Sequence, residues 1–154
     1  MKLYIRILTL LAIVLTGCFV SGVSRAGTIE FKNIGDNPVI LFDAPSVRGQ
    51  KLFVAPRGMP VEVVINYGNW SKIRDVVGDL SWVETRQLVA QHAILVRSLN
   101  AKVYAQAAES SDVVFSADKG VLLDSISPPQ DGWVKVKHRD GEIGYIRISD
   151  VWGI

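Results

Sequence analysis

Short runs in which apolar and polar residues alternate fill most of the chain after residue 26. The runs 61–65 (VEVVI), 70–74 (WSKIR) and 133–137 (WVKVK) are rich in β-branched and aromatic residues. Such runs are typical of half-buried β-strands, whereas the apolar positions of a helix recur every 3.6 residues. Apart from one turn at 105–113, no window of 11 residues beyond the leader shows sustained helical periodicity. The pattern therefore predicts an all-β fold with little helix outside the N-terminal segment.

Glycines and prolines separate these runs and mark the turns between them. Val77-Gly78-Asp79 and Arg139-Asp140-Gly141-Glu142 have the composition of hairpin turns, the second with the strong Asp-Gly signal. Gly58 and Gly120 each precede a further apolar run. Most prolines lie in connections, where a missing backbone donor costs little. The sequence therefore predicts many short strands joined by tight turns.

The second half of the chain repeats the first. Residues 68–88 (GNWSKIRDVVGDLSWVETRQL) align without a gap with residues 131–151 (DGWVKVKHRDGEIGYIRISDV), which is an offset of 63 residues. Further upstream the offset is 62, which predicts one residue of difference in an intervening loop. An internal repeat of this length indicates a tandem of similar units. We therefore predict two small all-β domains, at 27–90 and 91–154, and we expect them to pack together because domains this small are marginal alone.

The first 26 residues have the organisation of a secretory signal. Two basic residues precede the apolar run 7–16, and the small and polar segment 20–26 follows it. An N-terminal membrane anchor is the alternative interpretation, but the apolar run is short for a membrane span, which needs about 20 residues. We therefore expect an exported protein of the periplasm or cell envelope, with a signal peptide at 1–26.

Two processing sites within this segment remain open. Small residues at Ser24 and Ala26 favour cleavage after Ala26, which would give a mature chain beginning at Gly27. The alternative is the lipobox-like stretch Leu15-Thr16-Gly17-Cys18, in which Cys18 would be lipidated. We favour cleavage after Ala26, because the residues that follow Cys18 are apolar rather than the polar tether usual in lipoproteins. The protein is expected at the membrane only if Cys18 is lipidated.

Removal of the leader changes what charge and cysteine imply. The full chain has a formal charge of +2, but the residues after 26 contain 14 basic and 15 acidic side chains, a formal charge of −1. No basic arm or patch therefore argues for a nucleic-acid partner. Cys18 is the only cysteine. The mature domains can therefore contain no internal disulfide, no thiolate nucleophile and no cysteine-bound metal.

The sequence shows no constellation of residues that predicts catalysis. The two histidines, His92 and His138, fall in different halves and lack metal-ligand spacing, so we interpret them as a linker residue and a solvated surface residue. The carboxylates are scattered over turns, and solvated turn acids are a better interpretation than a glycosidase pair. We therefore expect no enzyme activity, no cofactor and no metal.

The repeated motifs resemble the bacterial SH3-like (SH3b) domain. Each half has an apolar-aromatic segment (Leu41-Phe42 or Val103-Tyr104), a glycine before a strand, a tryptophan-x-lysine strand, a charged turn and a glycine-led final strand. The resemblance covers nearly all of the chain after the leader. It departs from the family pattern at Ser81, which replaces a glycine, and at Tyr145, which replaces a tryptophan. The resemblance implies two tandem SH3-like β-barrels.

Four aromatic residues are the candidates for ligand contact. Trp70 and Trp133 each follow a turn and begin a strand, and Phe42 and Tyr104 align with the segment near the family's groove. Exposed aromatics on a small barrel can stack on sugars or hold an extended peptide. By contrast, Trp82 and Tyr145 lie within apolar strand runs and are predicted to lie in the core. Tyr67 and Trp152 are further aromatic residues that could contact a ligand.

The resemblance implies a binding function in the cell envelope. Its expected ligands are peptidoglycan peptide or an envelope protein, and we interpret the chain as a non-catalytic exported binding module. The first alternative is a structural or scaffold protein that binds only a protein partner. A more distant alternative is a cryptic cell-wall hydrolase. Exported SH3b domains often accompany such a hydrolase, and we expect this chain to be the accessory without the enzyme.

Overall fold

A computed structural model describes residues 29–154. The predicted signal peptide, with Ala26 and the alternative lipidation site Cys18, lies outside these residues. The described part consists of strands, turns and two 3-10 turns, Thr85–Gln87 and Ile148–Asp150. It contains no helix of the length and apolar character that crossing a membrane requires.

Domain one (residues 30–90) is a seven-stranded antiparallel sheet. Its strands lie in the spatial order β3-β2-β6-β5-β4-β1-β7. In chain order they are β1 (Glu30–Ile34), β2 (Val39–Phe42), β3 (Lys51–Ala55), β4 (Pro60–Tyr67), β5 (Trp70–Arg74), β6 (Leu80–Glu84) and β7 (Leu88–Ala90).

Domain two (residues 93–152) is a second seven-stranded antiparallel sheet. Its spatial order is β10-β9-β13-β12-β11-β8-β14. In chain order the strands are β8 (Ala93–Val96), β9 (Ala101–Tyr104), β10 (Val113–Ala117), β11 (Leu122–Ser125), β12 (Trp133–Lys137), β13 (Ile143–Arg147) and β14 (Val151–Trp152).

The two sheets have the same topology. Adding seven to each strand number of domain one reproduces the strand order of domain two, which confirms the predicted tandem of all-β domains. Glu62 pairs with Arg74 in domain one, and Asp124 pairs with Lys137 in domain two. The offset between the halves is 62 at the first member of each pair and 63 at the second. The additional residue therefore lies in the segment that joins β11 to β12.

Each domain has an apolar core of its own. Alternate residues of β5 and β12 are buried, as expected for a pleated strand whose side chains point to opposite faces. The core of domain one consists of Ile34, Val39, Leu41, Ala55, Val61, Ile73 and Val83. The core of domain two consists of Ile94, Val96, Ala101, Val103, Ala117, Leu123, Val134, Val136, Ile146 and Val151.

Trp82 and Tyr145 do not lie in these cores, so the prediction of core positions for them was wrong. Both are half-buried, and the residues on either side of them in β6 and β13 are the buried ones. The small residues Ser81 and Gly144 take inward positions, where the neighbouring strand approaches closely. A Cβ atom on Gly144 would lie 2.6 Å from the carbonyl oxygen of Tyr104. The pleat therefore turns the aromatic rings to the outer face.

A buried asparagine joins the two domains. Asn33 in β1 has no exposed surface. Its Nδ2 donates hydrogen bonds to the carbonyl oxygens of Gly58 and Ala93, both at 2.9 Å. Its Oδ1 accepts from the backbone N–H groups of His92 at 2.7 Å and Ala93 at 3.2 Å. All four hydrogen-bonding positions of the amide are used, and they tie a turn of domain one to the start of domain two.

Apolar contacts accompany this asparagine across the domain interface. The rings of Phe31 and Trp152 meet edge to face, with centroids 5.0 Å apart. Gly153 lies so close to Pro60 that a Cβ atom on the glycine would be 2.7 Å from the proline Cβ. The domains therefore pack directly on each other, as their small size led us to expect.

Candidate ligand-binding groove

The four predicted site residues form two equivalent aromatic pairs, one in each domain. Phe42 and Trp70 meet edge to face with centroids 5.6 Å apart and an angle of 87° between the ring planes. Tyr104 and Trp133 meet in the same way, at 5.5 Å and 89°. Edge-to-face contact is a favoured arrangement of aromatic rings, because the positive edge of one ring meets the negative face of the other. The duplicated sequence has therefore kept the same local geometry twice.

The strand register explains why these residues meet. Phe42 at the end of β2 pairs with Trp82 in the middle of β6, and Trp70 at the start of β5 pairs with Glu84, two residues further along β6. In β5, Ser71 is buried in the sheet and the side chain of Trp70 takes the opposite face. Two residues that are distant in sequence thus come together across one central strand.

A groove in domain two contains one member of these pairs. Trp133, Lys135 and Tyr145 form its floor, residues 105–107 form one wall and residues 127–131 form the other. Its volume is about 820 Å³. All three floor residues are half-buried, so each combines a fixed position with an accessible surface. The groove has the size and the mixed apolar and polar lining of a site for a small ligand or a short peptide.

Charged side chains hold the floor of this groove in place. The guanidinium carbon of Arg147 lies 5.6 Å from the centre of the Trp133 ring, and the same side chain is ion-paired with Glu109. The ammonium group of Lys135 lies 5.7 Å from the centre of the Tyr145 ring. These distances are within the range of cation–π attraction. Trp133 therefore has an aromatic ring and a cation against it before any ligand binds.

The equivalent surface of domain one differs in charge. Glu84 is the cross-strand neighbour of Trp70, whereas Arg147 is the neighbour of Trp133. Lys72 keeps the position of Lys135 and lies 5.8 Å from the centre of the Trp82 ring. The acidic Glu84 is engaged by Arg86, at 2.9 Å. A ligand that suits one of the two surfaces is therefore not expected to suit the other equally.

The loops beside the two surfaces also differ. In domain one, β4 continues into a hairpin with β5, and Tyr67 at its end contacts Trp82 edge to face with centroids 6.5 Å apart. In domain two, β11 ends at Ser125, and an irregular segment with Pro128 and Pro129 follows. Prolines cannot donate to a strand ladder, so this segment leaves the sheet and forms a wall of the groove.

The structure thus places the four predicted residues in different environments. Trp133 lies in the groove, and Tyr104 contacts Trp133 from outside the groove lining. Phe42 is only 8% exposed, so its main contact is with the half-buried Trp70. Four residues at or beside the groove were not predicted as site residues: Lys135, Arg147, Pro128 and Pro129. The adjacent prolines, which come shortly before Trp133, were the sequence signal that could have indicated an irregular wall at this site.

The described residues that line this groove do not form a metal-binding cluster. Across residues 29–154, no three His, Cys, Asp or Glu side chains lie close enough together to hold a metal ion. His92 and His138 are both outside the groove lining. The arrangement can hold a ligand by stacking, hydrogen bonds and charge.

Comparison with protein families gives the same result for both halves. The family model of the bacterial SH3 domain matches residues 35–89 and again residues 98–153, well over half of the chain. The chain belongs to the bacterial SH3 domain family. Each match falls on one of the two sheets, so the predicted resemblance is confirmed, and we refer to the two units as SH3 domains. Comparison with curated proteins gives no match.

Solved structures with similarity to this chain include three of NlpC type. NlpC2 from Trichomonas vaginalis is 14% identical, with a TM-score of 0.37, over 81% of this chain and 48% of that one. NlpC1 from the same organism is 14% identical, with a TM-score of 0.38, over 83% and 47%. An NlpC/P60 family protein from Bacillus cereus is 16% identical, with a TM-score of 0.37, over 80% and 56%. The chain spans about half the length of these structures.

Proposed function

We propose that this chain is a non-catalytic binding module of the bacterial cell envelope, and that its second SH3 domain binds peptidoglycan peptide. The observation that carries the proposal is the groove over Trp133, Lys135 and Tyr145. Family membership supports a binding function, because SH3-like folds commonly act by presenting a groove between loops.

The chemistry of the groove suits an extended peptide. Its aromatic floor and the Pro128-Pro129 wall offer flat apolar surface to side-chain stems and backbone. Lys135 on the floor and Asp131 on the wall supply charges of opposite sign. A peptidoglycan peptide carries both carboxylate and amino groups, so each of these side chains has a complementary group on the ligand.

The groove is also ordered in advance of binding. Trp133 is in contact with both the Tyr104 ring and the Arg147 guanidinium. A side chain that is already fixed loses little conformational entropy when a ligand binds, so more of the contact energy contributes to affinity. Trp70 has the equivalent aromatic contact but a differently charged surface, so we expect domain one to contribute less to this ligand.

Sedimentation with purified, insoluble peptidoglycan tests the proposal. The intact protein should be retained, and Trp133→Ala should weaken binding by about tenfold or more, as expected for an aromatic residue at the centre of a site. Trp70→Ala is the matched control in domain one and should have a smaller effect. Lys135→Gln tests the same groove at a side chain outside the core, so its result does not depend on how well Trp133→Ala folds.

Other outcomes of this experiment would overturn the proposal. Absence of retention for the intact protein would exclude the peptide ligand and favour a scaffold that binds only a protein. Soluble fragments released from the wall in proportion to the amount of pure protein would contradict a non-catalytic role. Equal retention of Trp133→Ala, Lys135→Gln and the intact protein would show that the groove is not the binding surface.

Export to the envelope is part of the same proposal and has a separate test. The N-terminal segment supports it through its basic start, the apolar run 7–16 and the small residues before Gly27. Mass spectrometry of the mature protein should show a chain that begins at Gly27. A chain that begins at lipidated Cys18 would place the module on a membrane, and an intact leader would contradict export.

A further inference from the structure

The two histidines of this chain line one cleft between the SH3 domains. His92 lies just before β8, and His138 lies at the turn after β12. The cleft has a volume of about 520 Å³ and is formed by residues of both domains. Their separation in the sequence led us to interpret them as a linker residue and a surface residue. Domain packing brings them to the same site instead.

The same cleft contains three basic side chains. Arg57 comes from domain one, Lys137 and Arg139 come from domain two, and Asp124 is the one acidic residue among the lining side chains. This excess does not follow from composition, because the residues after 26 contain 14 basic and 15 acidic side chains. The positive charge is therefore a local property of the cleft.

Neighbouring carboxylates compensate only part of this charge. Asp124 is the cross-strand neighbour of Lys137. In Asp140, Oδ2 lies 3.1 Å from Nδ1 of His138 and Oδ1 lies 3.8 Å from Nε of Arg139. Within residues 29–154, neither Arg57 nor Lys137 forms an ion pair. A concave surface with uncompensated positive charge concentrates anions, because its low-dielectric walls focus the field.

Both imidazoles are anchored by one ring nitrogen. Nδ1 of His92 lies 3.1 Å from the carbonyl oxygen of Ala90, and Nδ1 of His138 lies 3.1 Å from Asp140. In the part of the chain that the structure describes, Nε2 of neither ring has a hydrogen-bond partner. An anchored ring keeps its orientation, and its second nitrogen keeps its hydrogen-bonding capacity.

The floor of the cleft is fixed by the asparagine at the domain interface. Gly58, His92 and Ala93 line the cleft, and each is hydrogen-bonded through its backbone to Asn33. A site whose backbone is held by a buried side chain requires little reorganisation when a ligand arrives. The cleft therefore depends on the domain contact and not on either domain alone.

We propose that this cleft binds an oxyanion, a phosphate or carboxylate group on a ligand that carries at least two negative charges. Guanidinium groups donate hydrogen bonds in a fork that matches the oxygens of both groups. A metal cation is disfavoured, because three cationic side chains line the cleft and no three metal-ligating side chains cluster in residues 29–154. The proposal does not depend on peptide binding in the groove of domain two.

Titration of the full protein with tripolyphosphate and with citrate at low ionic strength tests the proposal. NMR should show that the ring signals of His92 and His138 shift together, and calorimetry should give the affinity. The triple variant Arg57→Gln, Lys137→Gln, Arg139→Gln should bind about tenfold more weakly or worse, because charge-assisted hydrogen bonds are lost. All three side chains are exposed, so the variant should fold.

A second triple variant separates this site from general attraction of anions. Arg48→Gln, Lys51→Gln and Lys102→Gln remove the same charge at exposed positions outside the cleft and should change the affinity by less than about threefold. Equal weakening by both triple variants, shifts away from the two histidines, or no binding of either anion would overturn the proposal. Binding of tripolyphosphate alone would assign the site to phosphate, and binding of citrate alone to carboxylate. Trp133→Ala should leave anion binding unchanged.

Discussion

Replacement of Asn33 by alanine would remove the polar connection between the two SH3 domains. The side chain is completely buried, and its four hydrogen bonds run to backbone groups of Gly58, His92 and Ala93. Alanine leaves two carbonyl oxygens and two N–H groups without these partners. The substitution therefore tests both the stability of the protein and the coupling of its domains.

The expected loss can be estimated from the number of groups left unpaired. A buried backbone donor or acceptor without a partner costs about 1–3 kcal/mol. His92 is exposed and Gly58 lies at the cleft, so water can reach part of this region. If two of the four groups stay dry, the free energy of unfolding should fall by about 2–6 kcal/mol, which is a large part of the stability of a typical small protein.

Urea unfolding, followed by circular dichroism and by tryptophan fluorescence, measures this loss. The midpoint should decrease by about 1–3 M, taking a slope of about 2 kcal/mol per M, the middle of the range for small proteins. In the intact protein the two signals should coincide, and in Asn33→Ala they should separate if the domains unfold independently. Asn37→Ala, at an exposed asparagine, is the matched control. A loss of less than about 1 kcal/mol for Asn33→Ala would refute the reasoning.

Three further substitutions give expected changes in the same unfolding assay. Gly153→Ala should cost about 2–3 kcal/mol, because the new Cβ would lie 2.7 Å from a proline side chain of domain one and the backbone has φ of +97°. Gly144→Ala should cost about 2–3 kcal/mol, because its Cβ would lie 2.6 Å from a carbonyl oxygen of β9, which cannot move without breaking the sheet. Arg147→Ala should cost less than about 1 kcal/mol, because its ion pair is about half exposed.

Matched variants separate the causes in these three cases. Gly141 has φ of +99° and open space around it, so Gly141→Ala measures the conformational cost alone, about 1 kcal/mol. Equal losses for Gly153→Ala and Gly141→Ala would mean that the domain contact is loose. Ser81→Ala, at the position equivalent to Gly144, should cost less than about 1 kcal/mol because a Cβ is already present. Arg86→Ala removes another exposed ion pair and is the control for Arg147→Ala. A loss above about 2 kcal/mol for Arg147→Ala, without a similar loss for Arg86→Ala, would contradict a minor contribution of the Arg147 ion pair to stability.

The strands and their duplication could be predicted because both depend on local pattern. Trp70 and Trp133, each at the start of an alternating run, aligned the two halves, and the change in offset foretold the additional residue before β12. The outer positions of Trp82 and Tyr145 could not be predicted in the same way. Apolar size favoured the core for both, but the pleat phase is set by the close approach of neighbouring strands.

The residues at the domain interface could not be predicted, because their contacts depend on tertiary packing that the local sequence pattern does not contain. Asn33 looks like an ordinary polar residue of a half-exposed strand, but it is completely buried and three of its four hydrogen bonds run to His92 and Ala93 at the start of domain two. His92 and His138 likewise line one cleft only through tertiary packing. Sequence could supply the four aromatic candidates, but it could not tell that Trp133 lies in a groove while Phe42 is buried.

The asparagine at the domain interface makes the duplication directional. The residue equivalent to Asn33 in domain two is Leu95, which pairs with Leu122 and Trp152 within its own sheet. The leucine side chain has no polar atoms, so domain two cannot form with a following module the hydrogen bonds that Asn33 forms with domain two. Any longer array of such modules would need a different joint after the second. This one difference between the repeats therefore means that domain one supplies the side chain that binds its neighbour, whereas domain two supplies the backbone groups that it binds.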